Sequence, residues 1–280
     1  MNAKGLLAMR KSITTRLCLI FAMAISALCA GVEDHASIGK KDDPTLLYDS
    51  CTDDWREHWT LDGQKATLTH SDKGMDFWAG PTFREDASHA VLWTKQSFSG
   101  DIKIEYEYTR LDRATRCATI LYVQATGSGE DPYVTDIAQW SDRRIVPAMR
   151  RYFDHMNTYH ISYAAFNNNN DDPSEDYVRA RRYMPLRMKG LRGTDLKPDF
   201  ARTGLFSTDV PHRITVIKRG NTLSMRVQND EAEKTFLWTN DTLPGIVEGR
   251  IGLRHMFTRG ARYRDFRVTQ LGAREGNSNP

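Results

Sequence analysis

The segment HMNTYHISY (155–163) brings two histidines, two tyrosines and an asparagine together within a few residues. Read as a strand, it places Asn157, Tyr159, Ile161 and Tyr163 on one face and His160, Ser162 and Ala164 on the other. A histidine and a tyrosine suit β-elimination from a uronic acid: a base removes the proton next to the carboxylate and an acid protonates the departing oxygen. His160 is the candidate base and Tyr163 the candidate acid, provided a bulge or strand end brings the tyrosine round. Tyr159 meets the same difficulty, and Tyr133 or Tyr152 could supply the acid from elsewhere. The competing reading is a histidine that only bonds a neighbouring strand or loop.

Arginines give a second signal. Arg179, Arg181, Arg182, Arg187, Lys189 and Arg192 form a run without an acid, preceded by Arg143, Arg144, Arg150 and Arg151. Planar guanidinium groups match carboxylate and sulfate oxygens, so an acidic oligo- or polysaccharide is the expected partner, with Arg181 and Asn157 among its contacts. Asp142, Asp154, Asp171, Asp172, Glu175 and Asp176 lie in the same region, which fits a charge-balanced solvated loop equally well. Arg254 and His255, adjacent in GRIGLRHM, are further binding candidates, and Trp140 in the polar stretch DIAQWSDRR is a candidate sugar platform. Arg264 is expected to pair with Asp265 or another surface acid. A glycoside hydrolase would need two carboxylates flanking the bond; Glu105 and Glu107 share a strand face that reads as solvent-exposed.

The elements that position these residues read as strands. DIKIEYEYT alternates Ile102, Ile104, Tyr106 and Tyr108 with Lys103, Glu105 and Glu107, and 213–238 reads as an antiparallel meander. Further strands are expected at 66–70, 90–94, 117–124, 159–166, 250–256 and 262–270. About ten short strands with scarcely any amphipathic helix predict an all-β, two-sheet antiparallel jelly-roll sandwich with long central loops. Between Gly127 and Asp209 only one strand is legible, the remainder reading as loop.

The chain has 280 residues, with 39 Lys and Arg against 36 Asp and Glu. Residues 1–30 hold Lys4, Arg10, Lys11 and Arg16 and no acid, so 35 basic groups face 36 acidic ones beyond them. That balance argues against nucleic acid as a partner, which would need a sustained basic surplus. A basic stretch, the apolar run Leu17 to Ala30 and small residues at its end read as a signal peptide over 1–30. The mature protein is therefore expected to be exported, periplasmic or secreted, with no membrane attachment after the signal is removed. Residues 31–45 read as a flexible segment, 46–271 as the domain and 272–280 as a tail. Signal removal leaves Cys51 and Cys117, for which a disulfide and two free thiols are equally open. No clustered Cys/His spacing indicates a metal site, and no cofactor is required; a structural calcium ion held by loop carboxylates and carbonyls is compatible with such a sandwich. The oligomeric state is not legible.

Five blocks in order, LYDS near 47, LWTKQSFSGDIKIEYEY (92–108), CATILYVQATG (117–127), MNTYHISY (156–163) and GRIGLRHMFTRGARYRDFRVTQL (249–271), resemble the YesU-like family of concanavalin-A-like jelly rolls. The resemblance implies a lectin/glucanase-type sandwich with a glycan groove on its concave sheet, in a polysaccharide-utilisation setting. It implies chemistry less firmly. After SYAAF the chain departs from the pattern, with FNNNNDDPSED where relatives tend to have aromatic and basic residues. The combined expectation is an exported protein acting on acidic saccharide by β-elimination, as a lyase or oligosaccharide dehydratase, with a non-catalytic glycan-binding jelly roll or a glycoside hydrolase as alternatives.

Overall fold

A computed structural model describes residues 43–167, 172–187 and 190–272. The expected signal peptide, most of the segment that follows it, nearly all of the tail, Lys189 and the centre of the Asn/Asp run lie outside the described residues.

Among the described residues, fifteen strands form two antiparallel sheets. In the first, the order is β13 (Glu233–Thr239), β12 (Thr222–Gln228), β11 (Pro211–Arg219), β6 (Ile102–Arg110), β15 (Gly260–Gln270), β4 (Gly74–Trp78) and β3 (Thr67–Ser71), with β1 (Thr45–Asp49) also beside β15. In the second it is β10 (Asp195–Ala201), β9 (Asp176–Tyr183), β8 (Met156–Phe166), β7 (Cys117–Gly127), β14 (Glu248–His255), β5 (Ala90–Ser99) and β2 (Trp59–Asp62). The jelly-roll sandwich expected from alternation is the observed architecture.

Alternation explains the inter-sheet core. Ile102, Ile104, Tyr106 and Tyr108 of β6 pack with Ile214, Val216, Leu223, Met225 and Val227 of the meander. The second sheet answers with Leu121, Val123, Tyr159, Ile161, Tyr163, Val178, Ala180, Ile251 and Leu253. Fully burying such side chains stabilises the fold by about 1.5 to 3 kcal/mol each.

A separate cluster lies on the outer face of the second sheet. Val91, Trp93, Ile120 and Tyr122 are covered there by Ile137, Trp140 and Tyr152 from the connection between β7 and β8. That connection, residues 128–155, acts as a roof; it contains a 3-10 stretch Ile137–Arg144, kinked at Trp140, and one short helix, Met149–Phe153.

The region after Gly127 holds more strand than its composition suggested. β9 (DYVRARRY) pairs with β8 and β10 pairs with β9, so three of the run's arginines sit on a regular strand. Cys51 and Cys117 are both buried thiols, one after β1 of the first sheet and the other opening β7 of the second, and are not bonded to each other, so the disulfide alternative does not hold. No helix among the described residues is long and apolar enough to cross a membrane.

Candidate functional site

Strand register assembles the site on the outer face of the second sheet. One row across the strands reads Asp195, Arg181, His160, Tyr122, Gly252 and Trp93; the next reads Arg179, Ser162, Ile120, Arg254, Val91 and Asp62. Gly252 is required by this packing, because a Cβ there would stand 2.5 Å from a Trp93 ring carbon. Trp93 therefore lies across β14, and its ring stacks with Tyr122 (5.4 Å) and with Tyr152 of the roof (6.3 Å).

His160 faces this surface, as the alternation foresaw, but both ring nitrogens are engaged. Nδ1 meets the Tyr183 hydroxyl in a short contact, and Nε2 lies 2.6 Å from Ser162 Oγ. Burial, with Arg181, Arg254 and Arg179 nearby, holds the imidazole well below the usual histidine range, so it is neutral. Burial raises the Tyr183 phenol well above its ordinary value, so the hydroxyl keeps its proton; in the tautomer where it donates to Nδ1, the Nε2–H donates to Ser162. The residue pair is His160 with Tyr183, one strand away.

Tyr163 does not take part. It points between the sheets, is fully buried, and its hydroxyl lies 3.5 Å from that of Tyr263. The bulge that would have turned it falls after Ser162, with Ala164 at φ 44°, and leaves Tyr163 on the inner side. Tyr159 is inner as well, its hydroxyl accepting from Asn240 at 3.1 Å. Tyr152 lies on the roof and donates to Asp62, while Tyr133 stacks on His155.

His255 is likewise an inner residue rather than a binding one. Its Nε2 is 2.8 Å from Tyr263 Oη and its ring packs edge-on against Phe77. Trp140 is no open platform: it is 2 % exposed, donates to the Val134 carbonyl at 3.0 Å and lies beneath the Arg144 guanidinium. Asn157 bonds the Gly127 carbonyl across β7 and β8.

Four of these arginines are charge-compensated. Arg179 pairs with Asp199, Arg181 with Asp195, Arg144 with Asp62 and Arg150 with Asp154. Arg182 points inward and bonds the Pro244 carbonyl. Arg264 pairs with Asp265 on the surface.

Arg254 is different. It is fully buried, its guanidinium lies over the Tyr152 ring at 4.3 Å, and Nη2 donates to the Pro147 carbonyl at 2.7 Å. Its Nε and Nη1 have no acceptor in good hydrogen-bond geometry, the guanidinium lies close enough to the Tyr122 hydroxyl to draw that phenol down against the effect of burial, and no ion pair with a described carboxylate forms. An unpaired buried cation is costly.

Asp62 ties the roof to edge strand β2. Its Oδ2 accepts from Trp93 Nε1 (2.7 Å), Arg144 Nε (2.6 Å) and Tyr152 Oη (3.1 Å). Burial pushes its carboxyl up, and Arg144 with these donors pulls the other way. Among the described residues no group of three or more His, Cys, Asp or Glu side chains gathers to hold a metal ion, so a calcium site has no carboxylate cage there.

Tyr183 escaped the sequence reading because its partnership depends on register. The signal was present: Tyr177, Arg179, Arg181 and Tyr183 alternate with Val178, Ala180 and Arg182, a strand pattern masked by charge.

No curated protein matches the chain. Among solved structures, a Bacillus subtilis protein of unknown function with a galectin-like fold is similar at 20% identity, over 83% of this chain and 98% of that one, with a TM-score of 0.66. Basic winged bean lectin, solved with Tn-antigen, is similar at 7% identity over 81% and 98%, and lectin II from Ulex europaeus at 8% over 82% and 99%, each with a TM-score of 0.52. At these identities the likeness concerns the fold, and it is that of lectin-type jelly rolls. Residues 46–268 match the family described as Domain of unknown function (DUF1961), and the chain belongs to that family.

Proposed function

We propose that this protein recognises an acidic saccharide on the outer face of its second sheet. The observation that carries the reading is Arg254, a buried cation with two uncommitted donors and no acid beside it. A uronate carboxylate or a sulfate would supply the missing charge through charge-assisted hydrogen bonds. The lectin-type fold and the YesU-like resemblance support a saccharide as the carrier of that anion, in an exported setting.

The His160–Tyr183 contact favours a second step, β-elimination. In the tautomer where Tyr183 donates to His160, the tyrosine oxygen takes the proton next to the carboxylate while its own proton moves to Nδ1. The carbon–oxygen bond at the β position breaks as the double bond forms, and the proton returns through Tyr183 to the departing oxygen. Arg254 stabilises the enolate-like charge in between. Tyr183 thus replaces Tyr163 as the acid. The imidazole is 3 % exposed, so substrate reaches the pair by displacing part of the roof.

A screen of glucuronan, alginate, pectin, ulvan and glycosaminoglycan oligomers tests both steps. Calorimetric binding to an acidic member and none to its carboxyl-reduced form is expected. The ultraviolet absorbance of an unsaturated uronate should grow with the wild type and fall about 10²- to 10⁴-fold in Tyr183→Phe and His160→Asn, with binding kept. Binding without that chromophore leaves a glycan-binding jelly roll, and equal binding of the reduced oligomers removes Arg254 from the site.

A further inference from the structure

On the first sheet the outer face carries polar side chains that solvent reaches: Lys103, Glu105, Glu107 and Arg267 are half-buried and Arg213 is exposed. β6 lies at the middle of that sheet, between β11 and β15, and its period-two alternation sends both glutamates to this face. The antiparallel register sets Glu107 between Arg213 of β11 and Arg264 of β15, and Glu105 between Thr215 and Arg267, with Tyr48 of β1 beyond Arg267. A depression of about 280 Å³ opens there, lined by Tyr48, Glu105, Glu107, Arg213, Asp265 and Arg267. That volume is near the lower end of those found for small-molecule sites.

Most of these side chains hold one another in place. Glu105 pairs with Lys103 at 2.9 Å. The bulge in β15 leaves Asp265 at φ 51°, and the Tyr48 hydroxyl donates to its Oδ1 at 2.8 Å. Arg267 lies over the Tyr48 ring at 4.7 Å and donates to Thr45 Oγ1. Glu107 and Arg213 are different. They are cross-strand neighbours of opposite charge, yet their side chains form neither an ion pair nor a hydrogen bond with each other or with another described residue. Closing such an exposed pair would contribute little, so the two remain available, an acceptor beside a donor.

We propose that this depression binds an uncharged sugar residue through two adjacent hydroxyls, one donating to Glu107 and its neighbour accepting from Arg213. A hydroxyl both donates and accepts, so a pair of them satisfies a carboxylate and a guanidinium together, and both hydrogen bonds are charge-assisted. Three carboxylates and two guanidiniums leave the lining close to charge balance, which matches a neutral ligand better than a polyanion or a polycation. Tyr48, 45% exposed at the rim, offers an aromatic surface to the apolar side of a sugar ring. The groups stand on three paired strands, so their spacing is set by the sheet. Every lining residue belongs to the first sheet or its bulge, and the inference is therefore independent of the acidic-saccharide reading of the second.

The test titrates the whole, nitrogen-15-labelled protein with cellohexaose, mannohexaose, xylohexaose and laminarihexaose. At least one should move the amide resonances of Glu105, Glu107 and Arg213 saturably while leaving those of β8 and β9 in place. Glu107→Gln and Arg213→Met should each weaken that binding about tenfold to a hundredfold, the loss expected for one charge-assisted hydrogen bond. Arg226→Gln, on the same face but paired with Glu233, should bind as the wild type does. Equal unfolding midpoints for the three variants establish that a loss of binding is local. No saturable shift with any of the four hexaoses would overturn the proposal, as would undiminished binding by both Glu107→Gln and Arg213→Met. Stronger shifts at these residues with a glucuronate hexamer or with spermine would overturn the uncharged class. Binding of the glucuronate hexamer that moves only second-sheet resonances supports the separation of the two faces, and its absence counts against the acidic-saccharide reading alone.

Discussion

Two fully buried arginines sit on neighbouring stretches of the chain and in opposite electrostatic circumstances. Arg259 donates through Nε to Asp112 Oδ2 at 2.9 Å and through Nη1 to the Cys117 carbonyl at 3.0 Å. Asp112 also accepts from Arg110 and from the backbone N–H groups of Ala114 and Gly260. Burial alone would raise that carboxyl, but Arg259 and Arg110 hold it below the ordinary range. Arg254 has one carbonyl and one aromatic face, with no acid. A buried ion pair of the first kind ties a β-strand end to its neighbouring loop. A buried charge of the second kind has only that carbonyl and ring to offset its desolvation.

The comparison breaks most sharply by mutation. Asp112→Ala strands two buried arginines and should cost about 3 to 5 kcal/mol, read as a large fall in the denaturant midpoint. Arg254→Met removes an uncompensated charge and should leave the midpoint unchanged or raise it while abolishing acidic-saccharide binding. A comparable loss of stability in both variants would show that Arg254 is as structural as Arg259.

Acid sharpens the same contrast through two histidines. Burial, then the charge of Arg254, lowers His89 to about 2; burial, then Arg259 offset by Asp112, lowers His255 to about 3. Both groups are neutral when folded and take up a proton near pH 6.5 when unfolded. The unfolded state therefore binds more protons, and stability present above about pH 6.5 is lost as the pH falls, by about 1.4 kcal/mol per pH unit for each histidine. Urea titrations between neutral pH and about pH 4.5 should show this decline, and His89→Phe should reduce its slope. A flat profile would mean the two rings are solvated.

The smallest effect belongs to the exposed Arg264–Asp265 pair, whose side chains are about half exposed. Arg264→Ala should change stability by less than about 0.5 kcal/mol. A larger loss would show that the β15 bulge carrying Asp265 depends on it.

The sandwich was legible because period-two alternation is dictated by burial, as in β6 and β12. β9 was obscured because its outer face carries Arg179 and Arg181, whose compensating Asp199 and Asp195 lie on the next strand. The same limit governs the site. Alternation could place His160 and Tyr163 on opposite faces, but only register could bring Tyr183 to His160. It could not show that Trp140 and Arg254 would be covered, since the roof packs through contacts between segments far apart in sequence.

The roof also bears on how such a fold can diversify. β7 and β8 are hydrogen-bonded antiparallel neighbours, so the whole roof is an enlarged hairpin connection. The entropy of closing such a loop grows only logarithmically with its length. Lengthening, trimming or exchanging this connection would leave the register of the seven strands beneath intact, so the sandwich could acquire an open through-running cleft or a shallow sugar-reading face by altering one hairpin.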